Sequence, residues 1–279
     1  MPAATLHSIV LNLTPAATAT IPKTLGHQVH APLLAAIRAA DPPLAHALHT
    51  NRAGIRPFTI SPVRGVRTVH DGTVVLQPDA DCWLRLTLLE PALYARFMER
   101  FLPAEARPAV RLGRAELRIR DILTVPAVHP GLGCTTWAAL AESAATEPEI
   151  TLEFKSPTAF SFGDRYAGKR VVLLPGTELV FDSLARTWNE YAPERLRIDR
   201  RAVCACAAEH VVARQFGRLE SHLLRLYGSL QVGFVGKVTY TLADSGADMR
   251  RQFNMLADFA FYAGVGMKPA MGMGQCCRK

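Results

Sequence analysis

No stretch of this sequence is apolar for long enough to span a bilayer, which takes about 20 consecutive apolar residues. The start, Met1 to Leu13, has no basic region ahead of a long apolar core. Membrane insertion and secretion are therefore not expected, and a cytoplasmic protein is. Cysteine is sparse: Cys82, Cys134, Cys204, Cys206, Cys276 and Cys277 never repeat the Cys-x-x-Cys spacing of a structural zinc site. They read as reduced thiols, with Cys204 and Cys206 alternating on a strand and Cys276-Cys277 short of partner ligands. Carboxylates do not cluster either. Asp79 with Asp81, and Asp199, stand in isolated, turn-like contexts, which argues against a two-metal nuclease site. No Gly-x-Gly-x-x-Gly opens a helix after a strand, and no glycine loop ends in Gly-Lys-Ser/Thr, so nucleotide sites are disfavoured. Neither a metal nor an organic cofactor is expected.

What is present is basic charge on a long chain. Lys and Arg outnumber Asp and Glu by 32 to 24 over 279 residues, a net charge of +8, and most of the basic residues are arginine. Such a balance favours a polyanionic partner, although it can also serve solubility alone. Arginine suits phosphate because its planar fork makes paired hydrogen bonds. With 49% hydrophobic residues the chain can bury a sizeable core and fill two domains.

The hydrophobic pattern alternates between strand and helix. Leu6 to Leu13 is a first strand, and Leu25 to Ala40 a helix with Val29, Leu33, Leu34 and Ile37 on one face, stopped by Asp41-Pro42-Pro43. A short helical turn from Leu44 ends at His49, and Thr50 to Arg56 is a polar, basic loop before a strand at Phe58 to Pro62. Val74 to Leu76 and Cys82 to Leu88 pair as strands across a turn at Gln77 to Asp81. Pro91 to Phe101 is a helix, and Leu117 to Thr124 is extended. This order is that of a ferredoxin-like βαββαβ unit. Periodicity lapses between Pro126 and Glu149, so residues 136–148 read as a linker between units at 1–135 and 149–279. In the second half Ile150 to Phe154 is extended, Pro175 to Tyr191 mainly helix, Val203 to Val212, Ser221 to Tyr227 and Gln231 to Leu242 extended, and Ala247 to Tyr262 a helix.

That last helix delivers a glycine loop, Gly264-Val-Gly266 and Gly272-Met-Gly274, the two Gly-x-Gly pairs separated by five residues. Glycine lets backbone N–H groups approach an anion closely, so the loop suits phosphate, while a plain flexible turn explains it equally well. The nine histidines offer a second lead, because imidazole titrates near neutrality and serves as acid or base. His27 and His30 fall on or just before the first helix. His46 precedes His49 by about one helical turn, and the two read as an acid–base couple or as a surface turn. Arg195, Arg197, Arg200 and Arg201 form a basic run that reads first as a solvated face.

Several stretches together resemble a known family. The glycine loop at 264–274, with ITLEFKSPTAF from Ile150, LPGTELVFDSLARTWNEY from Leu174, GFVGKVTYTL from Gly233 and LAHALHTNRAGIRPFTISP from Leu44, is similar to the CRISPR-associated endoribonucleases of the RAMP superfamily, which cut precursor CRISPR RNA within its repeats. The resemblance runs from about residue 25 to the end. It implies an α+β fold of two tandem ferredoxin-like domains with a C-terminal glycine-rich loop, RNA held across the domain junction, and a metal-independent cut. It also implies His49 as the catalytic histidine, with Arg56 the basic residue ahead of the next strand. Some relatives place a tyrosine on the first helix, where this sequence has Leu34 or its neighbours and no tyrosine.

The expected reaction is attack by the RNA 2′-hydroxyl, leaving a 2′,3′-cyclic phosphate and a 5′-hydroxyl. His49 would move protons, His46 is its candidate partner, and Arg52 and Arg56 would stabilise charge. Expected RNA contacts are Gly264, Gly266, Lys268, Gly272, Gly274 and Arg278. CRISPR repeat RNA is the expected partner, with effector-complex subunits and a homodimer left open. The competing readings are a non-catalytic RNA-binding subunit of a CRISPR effector complex and, more remotely, a metabolic enzyme with a phosphate-bearing substrate.

Overall fold

The computed structural model describes residues 5–22, 29–50, 54–68, 73–78, 80–162, 170–226 and 229–279. The first half runs β1 (Thr5–Pro15), β2 (Ala19–Pro22), α1 (His30–Ala40), α2 (Pro42–His49), β3 (Phe58–Ile60), β4 (Arg67–Thr68), β5 (Thr73–Leu76), β6 (Cys82–Leu88), α3 (Pro91–Phe101), β7 (Ala109–Leu112) and β8 (Ala115–Leu123). β9 (Gly133–Thr136) and α4 (Trp137–Glu142) follow. The second half comprises β10 (Glu149–Thr158), β11 (Phe160–Phe162), β12 (Arg170–Val172), α5 (Thr177–Tyr191), α6 (Arg200–His210), β13 (Val211–Leu226), β14 (Ser229–Leu242), α7 (Gly246–Ala263) and β15 (Cys276–Arg278).

Two antiparallel sheets repeat one topology. The first has the order β3-β6-β1-β8-β7, the second β13-β14-β10-β15. In each, the opening strand sits at the centre between the third and fourth strands of a βαββαβ unit, which makes the chain two ferredoxin-like units in series. β9 returns to pair with the start of β1, Thr5 opposite Thr136. The next residue, Trp137, is buried in the other core, its ring edge-on to Trp188 at 5.0 Å. The stretch read as a linker thus carries a short helix, capped where Thr136 accepts from the Ala139 N–H.

Local sequence explains the helix boundaries that frame the site. Asp41 ends α1 and begins α2: its carboxylate accepts from Leu44 N at 3.0 Å, and Pro42 and Pro43 occupy the first turn, where a missing N–H costs nothing. Arg96 of α3 grips the same carboxylate through two bonds of 2.8 Å, so α2 is pinned from its N-terminus.

Two strand expectations are corrected. Val203 to Val212 is mostly helix α6: Asp199 accepts from Arg201 N and Ala202 N, and Val203 and Ala207, four apart, are its buried face. Cys204 and Cys206 therefore lie on a helix, and the strand begins only at Val211. The β5–β6 hairpin does not form. β5 pairs with β2 and β4 in a separate three-stranded sheet, while β6 joins β1 and β3.

The halves are packed closely. Leu6 and Leu89 of the first half belong to the second core, and Ala270 of the second half belongs to the first. Arg85 of β6 is buried across the junction, donating to the Phe261 carbonyl at 2.9 Å and lying 4.6 Å over the Phe261 ring. Thr87 donates to the Tyr262 carbonyl at 2.8 Å.

Candidate active site and RNA-facing surfaces

His49 is the last residue of α2 and is exposed; the Thr50 N–H returns to His46 O at 2.9 Å and closes the helix there. After the loop, Arg56 is half-buried ahead of β3. Its Nη1 lies 3.3 Å from His49 Nδ1 and 3.3 Å from His30 Nε2. A guanidinium has only donors, so both ring nitrogens accept, and neutral His49 carries its hydrogen on Nε2. His30, at the start of α1, is buried and lies parallel to Phe58 with ring centroids 5.8 Å apart. A groove of about 460 Å³ along α1, lined by His30, Leu34, Arg38 and His49, opens beside the pair.

The electrostatics hold both imidazoles neutral. A helix C-terminus favours an imidazolium, yet His49 titrates below its ordinary value because the Arg56 charge opposes a second cation, helped by partial burial, Arg38 and His46. The nearby full charge outweighs the partial charge of the helix end. His30 is pushed down to about 4, mainly by burial and then by Arg56 and His49.

Of the residues expected from the sequence, the structure brings His49 and Arg56 together. Among the described residues no hydrogen bond joins His46 to His49; His46 is exposed and acts on His49 only as the smallest of its charge influences. Arg52, His27 and Asp79 lie outside the described residues. His30 was among the competing histidines of the sequence but was not singled out as a site residue. Its signal was only its place on the first helix, and in the structure its Nε2 meets the Arg56 guanidinium.

The glycine loop is built differently from an open phosphate cradle. Gly264, Gly266, Gly272 and Gly274 all have positive φ, between 66° and 92°. Their N–H groups are committed within the protein: Gly264 to Ala260 O, Gly266 to Ser183 Oγ, Gly272 to Pro269 O and Gly274 to Pro157 O. A Cβ on Gly266 would run into the Ala159 carbonyl oxygen, and one on Gly274 into that of Val265. The loop packs on the end of β10 and, through the turn at Pro269–Met271, against β3, the strand that follows Arg56. Lys268 donates to Gln231 Oε1 at 2.7 Å. Arg278 is turned inward, with Nη2 2.6 Å from Asn254 Oδ1 and Nη1 3.3 Å from Asp258.

A second surface had no sequence signal. Between the two sheets lies a cleft of about 940 Å³ lined by Arg64, Trp83, Arg85, His129, Lys155, Lys237 and Phe261, among others. Trp83 and His129 meet edge to face at 4.5 Å. Glu153 is ringed by Lys279, Lys237 and Lys155 at 2.9, 3.7 and 3.8 Å, which leaves a positive surplus. Among the described residues no cluster of His, Cys, Asp or Glu could hold a metal ion, and no helix is long and apolar enough to cross a membrane.

Two ferredoxin-like units in series, joined across a basic cleft, give a fold shared with a solved RAMP protein, 16% identical at a TM-score of 0.62. The CRISPR Cas6 N-terminal domain matches residues 5–142, and the domain described as CRISPR-associated endoribonuclease Cas6 matches residues 152–276. The chain belongs to the Cas6 family of CRISPR-associated endoribonucleases, which are RNA-cleaving enzymes. A product complex of Thermus thermophilus Cas6 is 26% identical, with a TM-score of 0.81, over 98% of this chain and 100% of that one. Another Cas6, in a substrate mimic complex, is 27% identical with a TM-score of 0.70, over 99% of this chain and 100% of that one. The CRISPR-associated endoribonuclease Cas6 of Streptococcus thermophilus is 25% identical over 143 residues, 51% of this chain and 56% of that protein, so the match spans little more than half of that relative.

Proposed function

We propose that this protein processes precursor CRISPR RNA, cutting within the repeat without a metal by attack of the RNA 2′-hydroxyl on the adjacent phosphate, to leave a 2′,3′-cyclic phosphate and a 5′-hydroxyl. The observation that carries the reading is the Arg56 guanidinium held between His30 and His49. RNA brings its own nucleophile, so the protein must align it, take its proton and stabilise the phosphorane charge. A scissile phosphate draws Arg56 to itself, which frees Nδ1 of His49. His49, neutral at pH 7, then accepts the 2′-hydroxyl proton as Arg56 meets the developing charge, the P–O5′ bond breaks, and the departing 5′-oxygen takes a proton from water. His30, held neutral by burial, orients Arg56 from the other side, and Arg52 and His46 are the further residues to test on the same loop and helix.

In this reading the glycine loop positions rather than reacts. Gly264, Gly266, Gly272 and Gly274 shape a turn that sets β3 and offers Lys268 to the RNA backbone, while Arg278 ties β15 of the second sheet to α7. The basic cleft receives unpaired RNA, whose bases stack on aromatic side chains. Residues 1–135 and 149–279 act as the two domains, with 136–148 a packed connector.

The test is cleavage of labelled repeat RNA in EDTA. His49→Ala should abolish the cut and leave repeat binding nearly intact. An undiminished cut would sink the assignment, and native protein that binds without cleaving would support a non-catalytic guide-binding subunit instead.

A further inference from the structure

Tyr191 is the last residue of α5, and its phenol donates a 2.7 Å hydrogen bond to the carbonyl of Ile55, 136 residues away in the first half. Ile55 immediately precedes Arg56. The base on which Tyr191 stands is fixed. Trp188, one turn back and fully buried, donates Nε1 to Leu196 O at 2.7 Å, and the Asn189 side chain bonds both the N–H and the carbonyl of Ile198 at 2.9 and 2.8 Å. Downstream of Arg56 the backbone is held by Pro57, whose carbonyl accepts from Leu89 N at 2.9 Å, and by β3. Upstream, Gly54 is an exposed turn residue at φ 78° with open space around it, and Ile55 itself sits in a single β-bridge, so the Tyr191 hydroxyl is a further hold on this short segment.

We propose that Tyr191 is a positioning residue for the active site: from the second domain, its hydroxyl holds the Ile55 carbonyl and so sets Arg56 against His30 and His49. The proposal rests on the reading of His49 and Arg56 as the reacting pair. Its consequence is that the two domains form one catalytic unit, because the loop beside the catalytic histidine is placed by a helix of the other domain. Among the described residues, the charged and titratable groups facing His49 are Arg56, Arg38 from α1, His46 on its own helix and His30 opposite. Of these, only Arg56 lies on the segment that Tyr191 holds.

The test is Tyr191→Phe in the full-length protein, which keeps the ring and removes the hydroxyl. The first measurement is the NMR titration of His49 without RNA. Its midpoint should rise towards 6.5, as it should in Arg56→Gln, because the opposing cation is no longer held close. An unchanged midpoint overturns the proposal. The second is single-turnover cleavage of repeat RNA: the rate should fall about tenfold while the RNA Kd stays within about twofold, since misplacement of a charge-stabilising group acts on the reacting state. In an Arg56→Gln background the same substitution should add no further loss. A loss equally large in that background, or one seen only as weaker binding, overturns the proposal. If His49→Ala still cleaves, the functional reading fails, and the RNA-free titration still decides whether Tyr191 positions Arg56.

Discussion

Gln275 offers its side-chain oxygen to Arg85 twice, to Nε at 3.2 Å and to Nη2, while its amide reaches the Ile60 carbonyl at 3.2 Å. The residue directly after the glycine loop thereby clamps β6 and β3 of the first domain at once. Arg85 is buried with no carboxylate among these partners, and burial pulls its pKa down to about 10. Gln275→Leu removes the acceptor and leaves the cation with the Phe261 carbonyl and ring. Hydrogen bonds to charged groups contribute about 1.5–3 kcal/mol, so a loss of about 2–3 kcal/mol of stability is expected. Chemical denaturation reads it as a lower midpoint at unchanged slope; a midpoint within error of the native one would show that water replaces the clamp.

Acid should destabilise the protein through His30. The unfolded imidazole titrates at its ordinary 6.5 and the folded one at about 4. Between these values the unfolded state binds the extra proton, so stability falls as pH drops through this window and is fully present above it. The lowering corresponds to about 3 kcal/mol. His30→Phe, which keeps a ring against Phe58, should flatten the dependence of unfolding free energy on pH between about 6.5 and about 4. An equally steep dependence in the variant would assign the acid sensitivity elsewhere.

Gly266 and Gly54 share a positive φ, 79° and 78°, and differ in what surrounds them. A Cβ at Gly54 meets open space, whereas at Gly266 it meets the backbone of Ala159. Gly54→Ala should cost about 1 kcal/mol from conformation alone, and Gly266→Ala about 2–4 kcal/mol once the loop shifts off β10. Thermal unfolding of the two variants side by side gives the comparison. Equal losses would mean that the loop moves freely against β10.

Much of this organisation was legible in residue pattern. Pro42-Pro43 behind Asp41, the alternation of β1 and β10, and the amphipathic spacing of α3, α5 and α7 each carry their own local cause. What escaped depends on partners distant in sequence. The alternation of Val203, Cys204, Ala205 and Cys206 suits a strand until Asp199 is seen capping a helix. β5 has ordinary strand composition, and nothing local says that β2 rather than β6 is its neighbour. At the site, His49 and Arg56 lie within one loop of each other, so a sequence reading could join them. His30 reaches Arg56 only because α1 folds back alongside α2. The glycine loop was readable as a run of positive-φ positions, but which carbonyls would take its N–H groups was not.

The exchange of side chains between the two cores bears on how the chain is born. When the first domain has left the ribosome, Leu6 and Leu89 still lack the second core they fill, and Ala270, which belongs to the first core, has yet to be made. The segment ahead of Arg56, likewise, gains its hydrogen bond at the Ile55 carbonyl only when Tyr191 arrives. A first half made alone therefore lacks part of its own packing, and each half completes the core of the other.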